Sequence, residues 1–143
     1  MSSIIKGVDC PDEKHEAGEV IFKEGTLSNC FYIIKSGSID VYKNHGKADQ
    51  FKLATIPAGR VLGEISCLDD GPRSATAVAQ TDVHLVRVPA ETLKWQLKHC
   101  PRWFSAVVLD LVERLRSTDD LLSSTKSSPH LNGMTSMKDT HSE

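Results

Sequence analysis

Residues 63–77 read GEISCLDDGPRSATA. In this stretch a glycine precedes a carboxylate, Glu64, and a half-apolar run leads to the break Gly71-Pro72. Arg73 follows, nine residues after Glu64, with small and hydroxylated residues behind it. The spacing predicts a helix of one or two turns starting near Glu64. Its first amides, those of Ile65, Ser66 and Cys67, have no intrahelical acceptor, and the positive end of the helix dipole lies beside them. Gly71-Pro72 ends the helix and turns the chain back, which carries Arg73 toward the helix start. A guanidinium fork beside open amides matches the oxygens of a phosphate. Glu64 cannot serve that phosphate, because like charges repel. It can accept hydrogen bonds from neighbouring hydroxyls, such as a ribose 2′-OH. An acid for sugar and a base for phosphate in one small loop imply a nucleotide whose phosphate lies close to its ribose.

Outward from this loop, "EVIF", "CFYII", "SIDVY", "FKLATI" and "VHLVRV" are short runs rich in Val, Ile, Phe, Tyr and Thr. Gly25, Gly37, Gly46 and Gly59 punctuate them. Short strands at such spacing predict an antiparallel β-roll, of the jelly-roll or barrel kind. Pro89 closes the last strand, and "AETLKWQLKHC" reads as a short helix. Pro101 then opens a second helix, where a missing N–H does no harm. Phe104, Val108, Leu111, Leu115 and Leu122 fall on one apolar stripe of it. The stripe reads first as core against the barrel and second as a dimer seam, since its steps are a/d-like. Trp95 and Trp103 read as packing anchors of the helices. Asp110 with Arg114 and Arg116 with Asp120 are expected as i, i+4 pairs on the outer face.

The chain divides into an irregular N-terminal segment 1–16, a domain 17–122 and a polar tail 123–143. The tail is rich in Ser and Thr and is expected to be disordered. With 143 residues, 39% apolar and 25% charged, the composition fits one soluble domain with a real core. A net charge of −2 argues against nucleic acid as the main partner. No run is long and apolar enough for a membrane span or a signal peptide, so the expected location is cytoplasmic. Cys10, Cys30, Cys67 and Cys100 are widely spaced and read as small hydrophobes in a reducing compartment. The six histidines are equally dispersed, so no metal is expected. Neither a metal set nor a Ser-His-Asp grouping supports an enzyme of the cupin kind.

The stretch 63–77 resembles the phosphate-binding cassette of cyclic-nucleotide-binding domains, the family of the catabolite activator and the protein kinase A regulatory subunit. That cassette follows G-E-[LI]-x-x-L-x-x-x-P-R-x-A-T. "AGEVIFKEG", "FYIIKSGSIDVY" and "IPAGRVLGE" are similar to the family's first strands and turns, in the right order, and the two C-terminal helices also fit. The resemblance implies that Gly63 and Glu64 face the ribose, with Ile65 beside them. Arg73 would pair with the cyclic phosphate, and the amides of Ser66, Ser74 and Ala75 would complete the anion site. The last helix would close over the base as a lid. In the family, Thr after the arginine favours guanine and Ala adenine, while Ser occurs with adenine binders, so Ser74 implies cAMP over cGMP. The resemblance thus implies a non-enzymatic regulatory sensor with a cyclic nucleotide as ligand and no cofactor. Its last helix would engage a second copy or an effector protein. No helix-turn-helix for DNA is expected. The alternatives are a structural ion pair of Glu64 and Arg73 with each other or with Asp69 or Asp70, a degenerate interaction module that keeps the cassette's shape but binds no nucleotide, or a different phosphate ligand such as a cyclic dinucleotide. One departure stands out: the family's helical residues before the first strand have no counterpart pattern here.

Overall fold

A computed structural model describes residues 9–124 of the chain, with side chains through residue 118. Eight strands come first in part: β1 (Asp12–His15), β2 (Val20–Phe22), β3 (Cys30–Ser36), β4 (Ser38–Lys43), β5 (Phe51–Pro57) and β6 (Val61–Leu62). A six-residue helix α1 (Glu64–Asp69) interrupts them before β7 (Thr76–Ala79) and β8 (Val83–Pro89). Helices α2 (Ala90–His99) and α3 (Arg102–Ser124) end the described chain. The strands form two four-stranded antiparallel sheets, ordered β1-β8-β3-β6 and β2-β7-β4-β5. This is the antiparallel roll that the strand spacing predicts.

The alternation of side chains decides which face each sheet buries. Along β3, Cys30, Tyr32 and Ile34 point between the sheets, where they meet Ile39, Leu62, Ala77, Ala79, Val83 and Leu85. Phe31 joins the opposite face of the same sheet, with Val86 and Val88 of β8, Cys67 of α1 and Ala90 of α2. The β1-β8-β3-β6 sheet is therefore covered on both sides, which is why "CFYII" and "VHLVRV" are nearly continuous apolar runs. Ile34, Ile39, Leu85, Val86 and Val88 have essentially no exposed surface. Truncating any of them to Ala would cost roughly 2–5 kcal/mol. Between β3 and β4, Gly37 has φ 87°, and a Cβ there would press on Val83 Cγ1 at 2.7 Å. Only glycine satisfies both demands.

Four sequence expectations change. Asp12–His15, placed in the irregular segment, is an edge strand paired with β8 from Asp12↔Val86 to His15↔Val83. It is polar because one long side faces water, so it lacks the apolar signal of the other strands. The last helix continues two residues beyond Leu122, where the tail was expected to begin, and residues 125–143 lie outside the described residues. The apolar stripe of α3 is not core. Phe104, Leu111 and Leu115 are 46%, 53% and 54% exposed, and among the described side chains of the helix only Val112 is buried. Trp95 and Trp103 are also exposed rather than anchors. The reason is that α3 packs mainly on α1 and α2 and stands off the roll. Three cysteines are buried, Cys100 is half-buried, and all four are free, in keeping with their reading as small hydrophobes.

Candidate functional site

The quoted stretch folds as α1, a tight turn and the start of β7. Gly63 caps α1 in the left-handed region, at φ 83°, and offers no side chain to the first-turn amides. Those amides are left open for a partner outside the helix. A Cβ on Gly63 would collide with the Arg73 guanidinium and lie 3.3 Å from the Phe22 ring. The glycine is thus needed for its backbone angle and for the space that Arg73 occupies. The helix ends at Asp70, also left-handed at φ 58°, a conformation aspartate tolerates better than most residues.

Arg73 is held along its whole length. Its N–H donates to Thr26 O at 2.8 Å, and its carbonyl accepts from Gly25 N at 2.8 Å. Its guanidinium donates through Nη1 to Gly63 O at 3.2 Å and through Nη2 to Cys30 O at 2.9 Å. The charged group lies 4.0 Å from the centroid of the Phe22 ring. Arg73 is only 4% exposed, yet no carboxylate among the described residues pairs with it. The structural ion pair considered from the sequence is absent. Asp69 and Asp70 bind other cations, Arg116 and Lys94. A buried guanidinium with two carbonyls and no acid keeps its positive charge uncompensated, and such a charge is costly until an anion arrives.

Arg73 opens onto a cavity of about 250 Å³. All seven residues singled out from the sequence line it: Gly63, Glu64, Ile65, Ser66, Arg73, Ser74 and Ala75. Opposite them, Phe22, Val41, Ile56 and Val61 form an apolar wall, and Arg60 stands at the rim. Two roomier depressions, of 610 and 620 Å³, lie elsewhere on the surface, around His15 and His84 and around Lys23 and His45. Neither contains a buried cation without an acid. The volume of the Arg73 cavity lies just below the roughly 300 Å³ from which pockets that enclose a small molecule run, and charged and apolar residues line it together. Among the described residues, none of α3 lines it.

Glu64 is half-buried, and burial pushes its carboxyl pKa up; its own backbone amide and the charge of Arg60 oppose that rise. Ser66 is buried and donates its hydroxyl to Pro72 O at 3.0 Å, so its side chain is occupied inside the cassette. Sequence reasoning missed Phe22, the ring under Arg73, and Arg60. The alternation in "EVIF" gives Phe22 an inward face but no hint of which group it meets. Arg60 carried no signal at all.

Arg116 reaches α1, where Nε lies 2.6 Å from Asp69 Oδ2 and Nη2 lies 3.1 Å from Asp69 Oδ1. The pair of Arg116 with Asp120 expected from the sequence lies outside the described side chains. The Asp110–Arg114 pair is present at 3.1 Å. Arg116 holds the carboxyl of Asp69 below the usual aspartate range, through hydrogen bonds that outweigh desolvation. Among the described residues no group of three metal-ligating side chains converges, and no helix is long and apolar enough to cross a membrane.

Comparison with known proteins places this geometry. The family model described as cyclic nucleotide-binding domain matches residues 12–100. The cyclic AMP receptor protein of Thermus thermophilus is 34% identical over 109 residues, covering 74% of this chain and 50% of the relative. A cAMP-dependent protein kinase regulatory subunit of Blastocladiella emersonii is 30% identical over 105 residues, 73% of this chain and 23% of the relative. The chain thus spans half or less of the length of these two relatives. Among solved structures, the cAMP-bound form of the EAL enzyme Bd1971 matches with TM-score 0.70 and 26% identity, over 82% of this chain and 32% of that one. The Thermus thermophilus catabolite activator protein matches with TM-score 0.62 and 32% identity, over 80% of this chain and 55% of that one.

Proposed function

Because the chain belongs to the cyclic nucleotide-binding domain family, we propose that it is a non-catalytic sensor module that seats a cyclic mononucleotide, cAMP in preference to cGMP. The observation that carries this reading is Arg73: a buried cation held by two carbonyls, with no acid among the described residues to neutralise it. The cyclic phosphate takes that role. It meets the guanidinium, the open amides of the first turn of α1 around Ile65 and Ser66, and the backbone at Ser74 and Ala75. Charge-assisted bonds of this type are roughly twice as strong as neutral ones. Glu64, facing the same space, accepts from the ribose 2′-OH beside Gly63. The apolar wall of Val41, Ile56 and Val61 packs the sugar and the near edge of the base.

The base of such a ligand extends toward the open side of the cavity, where another element covers it. That element is α3, which lies on α1 next to the site and carries exposed apolar side chains. Bound ligand draws α3 over the base, and the free state leaves it resting on α1 and α2. The ligand biases these states only by its differential affinity for them. Phe104, Val107, Leu111 and Leu115 leave more apolar surface on α3 than one chain covers, which supports a second copy or an effector protein as the partner of this helix.

The test is a calorimetric titration of the intact chain with cAMP, cGMP and cyclic di-GMP in parallel. Saturable binding at one site per chain, tightest for cAMP, is the expected result. No heat with either mononucleotide and saturable binding of the dinucleotide would replace the reading with a cyclic dinucleotide sensor. No binding of any of the three would leave a degenerate interaction module.

A further inference from the structure

Among the described residues, Arg116 of α3 reaches the cassette through four hydrogen bonds to Ser66, Asp69 and Pro72. Two go to Asp69 as a bidentate fork, one runs from Nη2 to Ser66 Oγ at 3.3 Å, and one runs from Nη2 to Pro72 O at 3.0 Å. Ser66 Oγ in turn donates to Pro72 O at 3.0 Å, which closes a triangle. Two corners of that triangle border the anion seat. Ser66 lies on the α1 side of the cavity, and Pro72 is bonded directly to Arg73 on the other side. The turn between them accommodates the guanidinium closely: a Cβ on Gly71 would sit 2.8 Å from Arg116 Nη2.

We propose that Arg116 is a positioning residue that sets the distance between the two walls of the phosphate seat, and that it is the joint by which α3 senses what the seat holds. The proposal rests on the reading of the cavity as a cyclic nucleotide site. Its physical content is simple. Any inward movement of Ser66 or Arg73 toward a phosphate changes the Ser66–Pro72 spacing, and a planar guanidinium whose Nη2 is shared among Ser66, Pro72 and Asp69, with Nε also on Asp69, cannot keep all four bonds unless α3 moves with it. A second cation touches the same loop but lacks this geometry. Lys94 of α2 pairs with Asp70 alone, both side chains largely exposed at 46% and 73%, and reaches neither wall.

The experiment compares the intact chain with Arg116→Gln, Asp69→Asn and Lys94→Gln. Each is titrated with cAMP, and amide exchange over residues 107–115 is measured with and without cAMP. Arg116→Gln is expected to weaken binding by about tenfold and to erase the cAMP-dependent gain in protection. Asp69→Asn removes the anchor but keeps the bonds to Ser66 and Pro72, so its effect is expected to be smaller and in the same direction. Lys94→Gln is expected to change neither measurement. Wild-type affinity together with wild-type α3 protection in Arg116→Gln would overturn the proposal, as would an α3 in the unaltered chain that ignores cAMP. An unaltered chain that binds no cyclic nucleotide would overturn the functional reading as well, which separates the two failures.

Discussion

The two ends of the short helix α1 each meet an arginine, and the arginines are in opposite situations. At the C-terminal end, Arg116 is half-buried and bonded to a carboxylate, Asp69, in a bidentate fork. At the N-terminal end, Arg73 is more deeply buried and bonded to two carbonyls and the Cys30 sulfur, with an aromatic face beside it. A cation that has its acid is neutralised within the fold, and it acts on a ligand only through the walls that it joins. A cation that is buried without one keeps a place for an anion from outside. The fold withholds an acid from Arg73 although three are close in sequence, because Asp69 and Asp70 turn to α3 and α2 and Glu64 makes no pair with it.

The sharpest way to break the comparison is to remove the lone cation. Arg73→Ala is expected to weaken cAMP binding by about 2–5 kcal/mol, measured by calorimetry. Because Gly63 O and Cys30 O lose a donor, some stability is lost too. Arg73→Lys keeps the charge and much of the fold while losing the fork, so it separates the two effects. It should still lose most of the affinity.

Glu64→Gln comes next, at about 1–3 kcal/mol of binding, because a charge-assisted acceptor becomes a neutral one. The loss should shrink for a 2′-deoxy cyclic nucleotide. The pH dependence has a definite sign. Burial raises the pKa of Glu64, so its carboxylate is lost at a higher pH than an ordinary glutamate loses its own. Affinity for cAMP should therefore fall as pH drops through that raised value, and Glu64→Gln should flatten the profile. In the empty protein the same raised pKa means that the stability Glu64 contributes is present at low pH and lost as pH rises through it. Glu64→Gln should then raise the thermal midpoint at neutral pH while lowering affinity.

At the other end of α1, Asp69→Asn should cost about 1 kcal/mol of stability at neutral pH, measured by denaturant unfolding. The pKa of Asp69 is lowered, so its contribution is present above the ordinary aspartate value and is lost as pH falls through the depressed one. The difference between the variant and the unaltered chain should vanish in strong acid. The smallest effect concerns the base. Ser74→Thr should raise cGMP affinity by about 1 kcal/mol, since a threonine hydroxyl can meet the exocyclic amine of a syn guanine; Ser74→Ala should lower it. Competition between the two nucleotides reads the shift directly.

Much of this was legible in the sequence, for reasons that can be named. The runs around Ile34, Ile39 and Val86 signal strands because they are buried on one or both faces, and burial leaves an apolar pattern. The cassette is legible because all its groups lie within one short stretch, so local spacing fixes their geometry. The failures have the opposite character. Asp12–His15 is an edge strand held by backbone pairing with β8, which leaves no mark on side-chain polarity. The stripe on α3 reveals an amphipathic helix but not what its apolar face meets, and periodicity is the same for core and for exposed seam. Phe22 and Arg116 reach their partners across long stretches of chain. A charge 47 positions from its counter-ion cannot be paired from spacing, so the bond from Arg116 to Asp69 leaves no mark in the sequence.

The central claim is that the empty space beside Arg73 is built for a phosphate ester closed onto its own ribose. The most direct measurement is a paired calorimetric titration of the intact chain with cAMP and with adenosine, which keeps the base and sugar and lacks the phosphate. The account predicts saturable binding of cAMP at one site per chain, with adenosine weaker by at least about a hundredfold, the share carried by the charged contacts. Adenosine binding as tightly as cAMP, or cAMP failing to bind at all, would contradict it.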